Sequence, residues 1–228
     1  VVSGGTTLLV VAKSPVPGRV KTRLTPDFSP QQAAALAEAA LRDTLAAGLE
    51  VAATRRVLVL DGVPGPWLPA GYQVVPQVAG GLDVRLAAAF EQCGGPALLV
   101  GMDTPQLTPG LLAPVFGPGG WDGCDAWFGP AADGGFWALG LANPAHAGLL
   151  RGVPMSTDRT GAVQRARLTS AGLRVRDLPG LRDVDTPADA AEVAGLAPDT
   201  RFARSFRATR ASVHAPAEGA AGLAVEGR

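Results

Sequence analysis

The strongest constraint on this chain is the apolar run Thr-Thr-Leu-Leu-Val-Val-Ala at residues 6–12, which ends on Lys13. A segment apolar at nearly every position, rather than at alternate ones, buries both faces and reads as a strand inside a parallel sheet. The pattern returns at 56–60 (RVLVL) and 97–101 (ALLVG), with a weaker strand at 72–75. Helical stretches separate these runs. Ser29-Pro30 opens an Ala/Leu-rich helix to about residue 53, with Ser as N-cap and Pro in the first turn, and 82–92 forms a second. Further on, the sequence predicts a short helix opened by Thr108-Pro109 and two short strands at 125–128 and 136–141 around a Gly-rich turn. A helix over 160–171, an alternating strand at 174–178 and a helix at 187–194 complete the pattern. Strands and helices alternating at this spacing predict an α/β fold whose mostly parallel sheet is covered on both faces. Ligands of such sheets bind beyond the carboxyl ends of the strands. Lys13, Asp103 and Asp185 all fall at or just past predicted strand ends.

The periodicity stops near residue 198, so the expected organisation is one domain over 1–197 and an Arg/Ala/Gly-rich, flexible tail over 198–228. In that tail Arg201, Arg204, Arg207 and Arg210 recur every third residue, read as a solvated charge run. Scarce residues exclude several chemistries. The two histidines (His146, His214) and two cysteines (Cys93, Cys124) do not provide the spacing of a zinc site or of a serine–histidine–acid triad. Two unrelated cysteines suit a reducing cytosol, no apolar run reaches the roughly 18 residues of a membrane span, and a cytoplasmic location is expected. A formal net charge of zero argues against a nucleic-acid binder.

The chain carries two lysines against eighteen arginines, and both lysines lie in one loop, Lys13-Ser-Pro-Val-Pro-Gly-Arg-Val-Lys-Thr-Arg23. Gly18 with the cations Lys13, Arg19, Lys21 and Arg23, directly after the first strand, is a candidate phosphate cradle, of neither Walker A nor dinucleotide spacing. Lys21 is the favoured contact of the two lysines by its place beside Thr22 and Arg23; Lys13 continues the strand toward solvent. Asp103 in Gly-Met-Asp-Thr-Pro and Asp185 in Asp-Val-Asp-Thr-Pro each close a strand. Asp-Thr-Pro is also a helix-capping sequence, and Asp185 is expected to cap the helix that follows. Carboxylates at neighbouring strand ends also suit Mg²⁺ or Mn²⁺, with Asp183 competing for the ligand position. In Gly129-Pro-Ala-Ala-Asp-Gly-Gly-Phe-Trp137, Asp133 with Gly134 and Gly135 is either a sugar- or acceptor-facing loop or an ordinary Asp-Gly turn.

Residues 10–26 (VVAKSPVPGRVKTRLTP), 101–107 (GMDTPQL), 128–141 (FGPAADGGFWALGL), Ser156-Thr157 and 183–189 (DVDTPAD) together resemble the GT-A-like transferase family known as glycosyltransferase, or radical-SAM/selenodomain-associated transferase 1. The resemblance implies the nucleotide-diphospho-sugar transferase fold, a three-layer α/β/α Rossmann-like sandwich. More distantly the chain is similar to molybdopterin-cofactor nucleotidyltransferases and phospholactate guanylyltransferases, in which an Asp at the Asp103 position binds the metal. It departs at 80–86, Gly-Gly-Leu-Asp-Val-Arg-Leu, where the family usually reads Gly-Asp-Leu-Gly-Glu-Arg-Met; Arg85 is kept and the acidic residues are displaced.

The leading expectation is a Mg²⁺- or Mn²⁺-dependent glycosyl transferase using a nucleotide-diphosphate sugar. Lys13, Gly18, Lys21, Arg23 and Arg85 would contact the nucleotide and phosphates, and Asp103, Asp183 and Asp185 the metal. Asp133, Gly134, Gly135 and Ser156 would face the sugar or a small-molecule acceptor, with Asp103, Asp133 and Lys21 as the catalytic set. The alternatives are a nucleotidyltransferase that releases pyrophosphate from a nucleoside triphosphate, and a nucleotide-binding module without catalysis.

Overall fold

The computed structural model describes residues 5–214 apart from Pro26. Its centre is a seven-stranded sheet in the order β3-β2-β1-β4-β6-β5-β7. The strands are β1 (Thr7–Lys13), β2 (Arg55–Asp61), β3 (Gln73–Pro76), β4 (Ala97–Val100), β5 (Ala126–Pro130), β6 (Phe136–Leu141) and β7 (Val175–Asp177). All neighbours pair in parallel except β6, which runs antiparallel to both β4 and β5. The apolar run of β1 is explained by its central position: Leu8, Leu9 and Val10 are fully buried between β2 and β4.

The helices are α1 (Pro30–Leu49), α2 (Leu82–Glu91), α3 (Pro109–Phe116), α4 (Thr160–Ser170), α5 (Pro187–Leu196) and α6 (Arg201–His214). Alternate strand residues feed two opposite cores, as a period of two requires. Leu8, Val10, Leu58, Leu60, Leu98 and Val100 pack toward α1 and α3. Leu9, Val57, Val59 and Leu99 pack toward α2, the 3-10 segment Pro144–Leu150 and α4. This is the expected three-layer α/β/α sandwich. The N-terminus of α1 carries a reciprocal capping box between Ser29 and Gln32 with Pro30 in the first turn. The helix ends at Leu49 rather than near residue 53, because the chain must turn into β2; Ala53 already donates to the Val51 carbonyl.

The expectation of a loose tail from 198 is corrected over residues 201–214, which form α6 on the outer side of α1 and α5. Phe202 and Ala203 are fully buried and Phe206 nearly so, in a third core with Leu36 and Ala40 of α1 and Val193 of α5. The Ala-rich α1 is therefore buried on two sides, against the sheet and against α6. The cap of α6 comes from inside α1: Asp43 accepts from the backbone N–H groups of Arg201 (3.1 Å) and Phe202 (2.8 Å) and pairs with the Arg201 guanidinium (3.3 Å). The regular arginines hid this helix, because the apolar anchors Phe202, Ala203 and Phe206 sit between them. Residues 215–228 lie outside the described residues. No helix among the described residues is long and apolar enough to cross a membrane.

Candidate functional site

At the carboxyl ends of β1 and β4 the chain lines an open cavity of about 640 Å³, within the size range of small-molecule sites. Sequentially distant segments meet there: Lys13 at the end of β1 and 19–23 from the loop after it, Asp103 after β4, Asp133 and Gly135 from the β5–β6 turn, residues 155–158 before α4, and Asp183 and Asp185 before α5.

The loop after β1 is held from below by Val20 and Leu24, both buried, so the residues between them face the cavity. Lys21 is in the left-handed region (φ 49°), an uncommon conformation for a residue with a side chain. That geometry turns its chain inward. The Nζ ion-pairs with Asp103 Oδ1 at 2.7 Å and donates to the Val184 carbonyl, with only 9% of the side chain exposed. A backbone bond from Val184 N–H to the Asp103 carbonyl (2.9 Å) closes the same junction. Lys21 therefore joins two walls of the site. Lys13 and Arg19, both exposed on the cavity lining, form no ion pair with any described residue.

The two carboxylates that compete in the sequence to join Asp103 at a metal, Asp183 and Asp185, have different surroundings. Asp185 pairs with Arg23 at 2.5 Å on the rim, and no three carboxylate, imidazole or thiol groups among the described residues are arranged as a metal cage. Nor does Asp185 cap α5: the Thr186 hydroxyl accepts from Asp189 N–H, and the Asp189 carboxylate accepts from Thr186 N–H, a reciprocal box. Two carboxylates still suit a divalent ion. Asp183 Oδ1 is buried without a hydrogen-bond partner. Its pKa is pushed up to about 7 by burial first and then by the neighbouring Asp103 and Asp133 carboxylates. Asp103 Oδ1 is buried against Lys21, while the side chain as a whole is 40% exposed, which leaves Oδ2 open. A hard cation that binds through one or two carboxylates and completes its shell with phosphate oxygens and water matches this donor set.

The Asp183 carboxylate gives a pH-dependent expectation for the metal-free protein. Its folded pKa lies above the unfolded value of 3.8, so ionisation opposes folding. That penalty is absent below the unfolded value, grows as pH rises toward 7 and is constant above it. Asp183→Asn should therefore stabilise the fold by about 1–3 kcal/mol more at pH 8 than at pH 5. Urea unfolding at the two pH values measures this; an equal effect at both would contradict the buried, repelled carboxylate.

The remaining candidates divide. Asp133 and Gly135 line the cavity, and Asp133 Oδ1 accepts from Gly135 N–H at 2.8 Å, an Asx-type turn. Gly134 is off the cavity wall and serves packing: at φ +87° a Cβ would lie 2.0 Å from the Asp158 carbonyl oxygen. Gly134→Ala should cost about 2–3 kcal/mol, read as a lowered midpoint in chemical denaturation; a neutral result would refute the close approach. Gly18, at φ +75°, makes the turn of the loop without reaching the cavity. Ser156 does line it, and with φ 59° it is the one non-glycine residue besides Lys21 with positive φ among those described. Two such conformations in the lining of one cavity fit a functional site, where strain concentrates.

Arg85 from α2 also lines the cavity, donating to Asp61 (3.2 Å), Gln77 (3.2 Å) and the Gly80 carbonyl (2.9 Å). Gln77 in turn donates to the Ala12 carbonyl at 2.8 Å. Sequence reasoning missed Asp61 and Gln77. Asp61 closes the apolar β2 and pairs in register with Lys13, so the strand-end rule that singles out Lys13 applies equally to it.

Comparison with known proteins accords with this architecture. Residues 31–157 match the family described as uncharacterized protein conserved in bacteria (DUF2064). The phosphoenolpyruvate guanylyltransferase of Thermomonospora curvata is 36% identical over 213 residues, covering 84% of this chain and 86% of that protein. Among solved structures, a Desulfovibrio desulfuricans G20 protein assigned as a nucleotide-diphospho-sugar transferase superposes with a TM-score of 0.78 at 23% identity, covering 91% of this chain and 95% of the other. The 2-C-methyl-D-erythritol 4-phosphate cytidylyltransferase of Thermus thermophilus does so with a TM-score of 0.54 at 18% identity, covering 86% and 100%. The fold is that of the nucleotide-diphospho-sugar transferases. With more than half of its length matched, the chain belongs to the bacterial DUF2064 family.

Proposed function

We infer that the protein is a divalent-metal-dependent nucleotidyltransferase that joins a nucleoside monophosphate to a small phosphorylated acceptor and releases pyrophosphate. The observation that carries this reading is the charge layout of the cavity: Lys13 and Arg19 without ion-pair partners among the described residues on one wall, Asp103 and the unpartnered Asp183 oxygen on another. Kinship to a phosphoenolpyruvate guanylyltransferase favours nucleotidyl over glycosyl transfer and makes GTP and a phosphorylated carboxylic acid the first substrates to try.

In this reading Lys13 and Arg19 hold the triphosphate, the lysine as a point charge and the arginine as a fork onto two oxygens. Asp103 and Asp183 would hold Mg²⁺ or Mn²⁺, which would supply positive charge to the phosphates and the departing pyrophosphate. The acceptor enters on the side of Asp133, Gly135 and Ser156. Its phosphate oxygen attacks the α-phosphorus, and the bond to the bridging oxygen of the β-phosphate breaks. An acceptor phosphate is ionised at neutral pH, so no side chain has to remove a proton from it.

The test is product analysis. Purified protein is incubated with Mn²⁺, each of the four nucleoside triphosphates and phosphoenolpyruvate or other phosphorylated acids, and followed by ³¹P NMR. Pyrophosphate with a new diphosphodiester is the expected result. Release of a nucleoside diphosphate from a nucleotide sugar, without pyrophosphate from any triphosphate, would replace this reading with glycosyl transfer.

A further inference from the structure

We propose that Lys21 is the resident counter-cation of the carboxylate cluster, a positioning residue that holds Asp103 half-neutralised and so makes metal entry depend on the nucleotide. The inference deepens the nucleotidyltransferase reading and rests on it. Its basis is the way the ammonium is installed. Lys21 lines the cavity with only 9% of its side chain exposed and reaches Asp103 Oδ1 at 2.7 Å, while the Asp103 side chain, also on the cavity lining, remains 40% exposed. A second bond to the Val184 carbonyl holds the ammonium in place, and the left-handed backbone at Lys21 leaves the chain aimed inward. The neighbouring pair Arg23–Asp185 anchors the same segment from the other side of Val184.

A metal ion approaching Asp103 therefore meets a carboxylate already sharing its charge with an ammonium, and is repelled by that ammonium at short range in a partly enclosed site. A nucleotide changes the balance, because its phosphates bring several negative charges that attract both cations. The expected behaviour is weak binding of free metal and strong binding of metal together with nucleotide. Lys13 and Arg19 supply phosphate contacts in this division of labour, and Lys21 holds the carboxylate in register with Val184.

Calorimetric titration of Mn²⁺ alone into the nucleotide-free protein tests this in the full chain, for wild type, Lys21→Met and Lys21→Arg. Lys21→Met should bind Mn²⁺ about tenfold or more tightly than wild type, and Lys21→Arg, which keeps the charge, should stay within about threefold. The ratio of Mn²⁺ affinities with and without GTP should fall in Lys21→Met. Equal or weaker Mn²⁺ binding by a folded Lys21→Met protein would overturn the proposal. A second measurement covers the case in which that variant does not fold. With two lysines in the sequence, ¹³Cε-lysine labelling gives two side-chain signals, assigned with Lys13→Arg. In wild type the Lys21 signal should stay in place with excess Mg²⁺ alone and move when GTP is added with it; a full displacement by Mg²⁺ alone would refute the counter-cation. These outcomes are separable from the function itself. Failure of every triphosphate to bind, with or without metal, would end the nucleotidyltransferase reading, whereas the comparison of Mn²⁺ affinities would still decide the role of Lys21.

Discussion

Asp103→Asn is expected to lower the proposed metal-dependent nucleotidyl transfer by about 10²–10⁴-fold, the loss of several kcal/mol of charge stabilisation around the reacting phosphates. The substitution is nearly isosteric and keeps an oxygen for Lys21, so the junction with Val184 should survive. Asp103 stands at the centre of three features that meet nowhere else in the described chain. Its Oδ1 is tied to Lys21, its backbone carbonyl accepts from Val184, and its exposed oxygen faces the cavity beside Asp183. Initial rates of pyrophosphate release over a range of Mn²⁺ concentrations, with circular dichroism melts as the folding control, measure the effect. A rate within about threefold of wild type would remove Asp103 from the site.

Phe202→Ala should cost about 3–5 kcal/mol, the usual penalty for truncating a fully buried phenylalanine. The effect reaches beyond the helix. The core that encloses Phe202 also contains Leu24, at the foot of the Lys21 loop, and Val184, whose carbonyl receives the Lys21 ammonium. α6 therefore braces both segments of chain that converge on Asp103. Urea unfolding should show the loss of stability, and nucleotide affinity should fall in the variant even under conditions where it is folded. A change below about 1 kcal/mol would mean that α6 is peripheral to the fold.

Sequence periodicity was sufficient for the sheet because burial on two faces leaves a compositional trace. The runs in β1, β2 and β4 contain almost no polar residue, and Ser29-Pro30 and Thr108-Pro109 are local capping chemistry that needs no tertiary partner. The same reading failed for α6, where three apolar anchors alternate with arginines and the cap, Asp43 within α1, is 158 residues away along the chain from Arg201. A long-range cap leaves no local signal. It also failed to choose between the two carboxylates of Asp-Val-Asp: Asp183 and Asp185 occupy alternate positions and project differently, one into the enclosed site and one onto Arg23 at the rim.

By itself the sequence determined the α/β sandwich and nominated a candidate site at the strand ends with a short list of cations and carboxylates around it. Those follow from hydrophobic periodicity and from where charged residues interrupt it. Tertiary structure alone decided which of those charges are already paired. Lys21 is committed to Asp103 and Val184, Arg23 to Asp185, and Arg85 to Asp61 and Gln77, while Lys13 and Arg19 have no ion pair among the described residues and one Asp183 oxygen has no partner. The physical reason is that an ion pair depends on separations of a few ångströms between segments far apart in sequence, a quantity set by packing and invisible to spacing along the chain.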